Sequence, residues 1–102
     1  MEAEVHTPPE QLDIDEGVRV ELVIWKVPRP LKGSVHPYKY RLALIVDDVC
    51  VLRYDNESGK GDHRHVGARE FAYDFRDPDQ LTVDFWTEVE HWIGKYRRSG
   101  SV

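Results

Sequence analysis

One amphipathic helix near the end of the chain sets what the rest must build. Leu81, Phe85, Val89, Trp92 and Tyr96 follow a 4-4-3-4 spacing with Ile93 beside them, which gives a helix one apolar face. Asp77 is a good N-cap, Pro78 suits the first helical position, and Gln80 lies three residues after the cap as in a capping box. Asp79 complements the positive end of the helix dipole, and Lys95, Arg97 and Arg98 its negative end. No second helix of this kind is available to cover the stripe, so it needs a sheet to lie on.

The residues before it read as that sheet. In 18–27, Val18, Val20, Leu22 and Ile24 alternate onto one face, and Pro28 and Pro30 end the strand. In 38–46, Tyr38, Tyr40, Leu42, Leu44 and Val46 share a face, and Asp47-Asp48 is a two-residue turn into a strand at 49–55. Residues 56–62 are a glycine-bearing loop, followed by short strands at 63–66 and 69–75 with a tight turn at Gly67. The expected fold is α+β: an antiparallel meander of four to five strands packed against one C-terminal helix.

Residues 1–16 are acidic, contain Pro8-Pro9 and lack a sustained apolar period, and are expected to form a flexible tail. Residues 17–97 then make a single domain, with a frayed end at 98–102. A chain of 102 residues is too short for two domains, and 40% apolar composition supports one core. The only cysteine, Cys50, excludes an internal disulfide and a thiol-rich zinc site. No apolar run approaches a membrane span and no signal-peptide pattern is present, so a cytoplasmic location away from membranes is expected. The net charge of −5 argues against binding nucleic acid over the whole surface, but leaves room for a local basic patch.

Chemistry concentrates between Arg53 and Glu70. This run holds three arginines, one lysine, two histidines, two aspartates and two glutamates, with little that could fill a core. On a strand, His63 and His65 point to one face and Arg64 to the other. Three functional readings follow, beside the plain alternative of a charged hairpin loop with internal ion pairs. His63 and His65 could act as acid and base on a phosphodiester, with Lys60, Arg64, Arg69 and Arg53 neutralising phosphate. Asp55 and Asp62 would orient or tune them, and the hairpin brings Lys39 and Arg41 to the same end as Arg53. The same groups could instead bind a nucleic-acid backbone or an acidic protein without reacting. Or the His-x-His pair, with Asp62 or Asp55, could ligate a metal, although the spacing fixes no third ligand. The first reading leads, and it needs neither metal nor cofactor.

Tyr38-Lys39-Tyr40-Arg41, Arg53-Tyr54-Asp55-Asn56-Glu57, Gly59-Lys60-Gly61-Asp62-His63-Arg64-His65 and Arg69-Glu70, with the Val23–Pro28 strand before them, resemble the TumE family over about residues 17–90. TumE proteins are toxin components of prokaryotic toxin–antitoxin modules. The resemblance implies a small toxin whose partner is a DNA-binding antitoxin of winged-helix type, bound protein to protein. It carries over motif positions without catalytic roles. Combined with the residue set, it points to a toxin acting on nucleic acid, with ribonuclease as the leading activity and RNA as a further partner.

Overall fold

The structure, a computed structural model, describes residues 3–57 and 59–100, and within the last helix it describes side chains as far as Lys95. Six strands and one helix follow in order: β1 (Glu4–Asp15), β2 (Val18–Lys26), β3 (Tyr38–Val46), β4 (Val49–Glu57), β5 (Gly61–Val66), β6 (Arg69–Ala72) and α1 (Pro78–Gly100). The strands form one antiparallel sheet in the order of the chain. The α+β meander with a single C-terminal helix is as expected; six strands replace the expected four to five.

The added strand is β1, where a tail is expected. It pairs with β2 from Glu4↔Lys26 to Asp15↔Val18. Its residues are nearly all exposed, so it needs no apolar alternation, and that is why the pattern does not reveal it. Pro8 and Pro9 fall in the irregularity between Thr7 and Glu10, on an edge strand where a missing donor is tolerated. The frayed end expected at 98–102 and the place of Tyr96 in the apolar stripe lie largely outside what is described.

The core lies between one sheet face and α1. Val18, Val20 and Ile24 of β2, Tyr40, Leu42, Leu44 and Val46 of β3, and Leu52 and Tyr54 of β4 meet Leu81, Phe85 and Val89 of the helix. Trp92 and Ile93 pack at the margin, so the apolar stripe is buried as its spacing requires. The Asp77 carboxylate accepts the Gln80 N–H at 2.7 Å, which caps the helix. The Gln80 side chain reaches forward to Asp84 (2.8 Å) instead of back to the cap, so the capping box is only half made.

Two local features set which side chains face away from the helix. The β3–β4 turn holds Asp47 and Asp48 at φ 50° and 64°, the two positive angles that a glycine-bearing turn would supply more easily. In β4, Cys50 opposes Ile45 and Leu52 opposes Leu44, so Val51 is an extra residue. Without that bulge Arg53 would face the buried Leu42. With it, Leu52 and Tyr54 enter the core while Arg53 and Asp55 turn to the opposite face.

Candidate functional site

The face away from α1 is built in rows across the strands. One row reads Glu21↔Ala43↔Arg53↔His65↔Glu70, and the next reads Val23↔Arg41↔Asp55↔His63↔Ala72. His63 and His65 therefore share a face with Arg53 and Asp55, their ring centroids 6.3 Å apart. A recess of about 60 Å³ is lined by Arg53, Asp55, Glu57, Lys60, His63, His65 and Glu70. It is too small to enclose a nucleotide, so a ligand would meet it at its mouth with one small charged group.

Each histidine has a carboxylate. His65 Nε2 lies 3.4 Å from Asp55 Oδ1, and His63 Nδ1 lies 3.1 Å from Glu70 Oε1. His63 Nε2 lies 2.6 Å from the Lys60 carbonyl oxygen, which can only accept, so Nε2 carries a proton. Arg53 Nε lies 3.0 Å from Asp55 Oδ2, and Lys60 Nζ 3.6 Å from Glu57. Arg53 Nε and His63 Nδ1 are buried nitrogens with no aligned hydrogen bond: their carboxylates are within ion-pair range but out of line.

The lysine turn is held from outside. The Gly59 N–H donates to Lys32 O (2.5 Å), bringing the 27–37 loop against the β4–β5 turn. Gly33 sits there at φ 86°, a conformation that favours glycine, and a Cβ on it would touch the Gly59 backbone at ordinary contact distance.

The residues singled out from sequence divide between the two faces. His63, His65, Asp55, Arg53 and Lys60 come together in the recess. Arg41 neighbours Asp55 in its row but pairs with Glu21 (3.3 Å), and Lys39 lies opposite Trp25, outside the recess. Asp62, Arg64 and Arg69 are on the helix face. Asp62 accepts from the Tyr40 hydroxyl (2.7 Å) and meets His36 Nε2 at 2.8 Å. His36 stacks on Phe75 at 3.8 Å and accepts the Tyr38 N–H through Nδ1. Asp62 thus fastens the 27–37 loop to the core and does not address the histidines. Arg64 donates to Glu88 at 2.9 Å, and the Tyr54 hydroxyl donates to the same carboxylate oxygen. Tyr73 donates to Asp84 at 2.6 Å. Burial first, and these acceptors second, push the hydroxyls of Tyr40, Tyr54 and Tyr73 above the usual tyrosine range.

Glu70 is the site residue that sequence reasoning passes over. Its signal is the two-residue Gly67–Ala68 turn, which sets Val66 opposite Arg69 and therefore His65 opposite Glu70. The tyrosine–carboxylate pairs on the helix face have no such signal, because they join residues 11 and 34 positions apart.

Among the described residues, no group of three or more His, Cys, Asp or Glu side chains is arranged to hold a metal ion, and no helix is long and apolar enough to cross a membrane. No curated protein and no solved structure matches the chain. The family model described as toxin TumE matches residues 2–93, nearly the whole length. The chain belongs to the TumE toxin family.

Proposed function

We propose that this toxin acts on RNA as a metal-independent ribonuclease, through the recess opposite α1. One histidine of the pair His63 and His65 takes the proton of an RNA 2′-hydroxyl as that oxygen attacks the adjacent phosphorus. The other gives a proton to the departing 5′-oxygen, and His63 must first turn out from the Lys60 carbonyl and Glu70 to take either part. The products are a 2′,3′-cyclic phosphate and a 5′-hydroxyl end, and no outside reactant is needed. Arg53 and Lys60 neutralise the phosphoryl oxygens, with Arg41 nearby, and Asp55 and Glu70 orient the imidazoles. Asp62, Arg64 and Arg69 lie across the sheet and take no part in this step.

One observation supports this reading above the others. His63 and His65, each beside a carboxylate, converge with Arg53 and Lys60 on the one recess. Two such imidazoles beside fixed cations are what acid–base cleavage of a phosphodiester requires. In this reading and in one of binding alone, a phosphate displaces Asp55 from Arg53 and Glu57 from Lys60. The antitoxin partner is proposed to be a DNA-binding protein that docks on the toxin in the cytoplasm.

Growth on induction of the chain separates these readings. Wild type should arrest growth, while His63→Ala and His65→Ala should each relieve the arrest at equal protein level. Undiminished toxicity in both variants would overturn the catalytic assignment.

A further inference from the structure

Phe71, on the edge strand β6, is 36% exposed and faces the helix side of the sheet, opposite Arg64. Two guanidinium groups lie over its ring: Arg64 Cζ at 4.8 Å from the centroid and Arg69 Cζ at 5.4 Å. Arg64 is anchored by Glu88. Arg69 has no carboxylate within ion-pair distance among the described residues, and its guanidinium lies over the aromatic ring. A guanidinium set over a ring without a carboxylate partner keeps N–H donors available to an anion. Among the described residues, the outer backbone edge of β6 also has no partner strand.

The same hairpin carries the recess on its reverse. His65 pairs with Glu70 and His63 with Ala72, one residue to either side of Phe71 in β6. A sheet is only one layer thick, so a chain passing around the β6 edge reaches both faces within a couple of nucleotides.

We propose that single-stranded RNA crosses this edge, with a nucleotide one or two places from the reacting phosphate bound on the helix side. Its base stacks at Phe71 and its phosphate meets Arg69. An aromatic ring beside an available cation is the arrangement that binds single strands without reading sequence. The proposal rests on the ribonuclease reading only in putting the reacting phosphate at His63 and His65. It gives Arg69, which cannot reach that recess, a distinct role in binding the substrate.

The test uses the full chain as the His63→Ala/His65→Ala double variant, so that a short labelled single-stranded RNA is bound and not cut. Adding Phe71→Ala should weaken binding about tenfold or more, the size of one lost base stack. Phe71→Trp should retain affinity. Phe71→Leu, which keeps apolar bulk and removes the π face, serves if the alanine variant fails to fold. Arg69→Gln should reduce the slope of log affinity against log salt by about 0.7, one phosphate contact on a single strand. Unchanged affinity in the Phe71 variants together with an unchanged slope in Arg69→Gln overturns the proposal. So does the absence of any RNA binding, or loss of antitoxin binding in these variants with RNA affinity intact, which would assign the patch to a protein partner. If wild type cuts RNA while the variants bind normally, the edge site falls and the ribonuclease stands. If binding depends on Phe71 and Arg69 but wild type does not cut, the ribonuclease falls and the RNA site stands.

Discussion

A buried asparagine does the work of two ladder bonds. Asn56 is the one buried polar side chain among the described residues, at 4% exposure. Its amide donates to Tyr38 O at 2.7 Å, and its oxygen accepts the Tyr40 N–H at 3.0 Å. The side chain therefore satisfies the β3 backbone where the β3–β4 register ends at Arg41↔Asp55. Asn56→Ala leaves a buried donor and an acceptor unpaired and should cost about 2 kcal/mol in denaturant unfolding. Asn56→Asp keeps the acceptor, loses the donor, and should also destabilise. The three core-margin tyrosines act on stability through pH. Their hydroxyls are pushed up on folding, so the folded state keeps protons that the unfolded chain releases. This stabilisation is complete below the ordinary tyrosine pKa of about 10 and is lost as pH rises beyond it. Alkaline titration should therefore show tyrosinate absorbance from these three appearing together with loss of tertiary structure. Early, stepwise ionisation of all five tyrosines with the fold intact would contradict it.

At the scale of elements, the bulge at Val51 decides what faces the recess. Deleting Val51 closes the ladder with Leu52 still opposite Leu44, so the variant should fold and melt within a few degrees of wild type. Inserting one alanine between Leu52 and Arg53 turns the rest of β4 over. Arg53 then enters the core in place of Tyr54, at a cost of roughly 3 kcal/mol or more, and the variant should be unfolded by circular dichroism. The helix, β2 and β3 were legible because each buries one face and carries the matching period. So was the division between His63/His65 and Arg64, which period two requires. β1 was not legible, because an edge strand exposed on both faces has no period to read. The place of Asp62 was hidden for another reason. Its partners His36 and Tyr40 lie 26 and 22 residues away, and only the 27–37 loop folding back brings His36 to it.

For the whole molecule, the net charge conceals a division. Residues 1–16 hold six acidic side chains and no Lys or Arg, and residues 74–90 hold six against one. Residues 17–73 hold ten Lys and Arg against seven acids, so the sheet from β2 to β6 is net positive. The acidic total belongs to β1, the approach to α1 and the first half of the helix, while the recess itself sets Arg53 and Lys60 among Asp55, Glu57 and Glu70. The proposed reaction is RNA cleavage at the recess by two histidines. Purified chain should be incubated with single-stranded RNA in excess chelator, and the rate and the ends of the products measured. Cleavage leaving 2′,3′-cyclic phosphate and 5′-hydroxyl ends is expected, with the rate falling about 10²–10⁴-fold in His63→Ala or His65→Ala at unchanged melting temperature. Intact RNA, 5′-phosphate ends, or undiminished rates in both variants would contradict it.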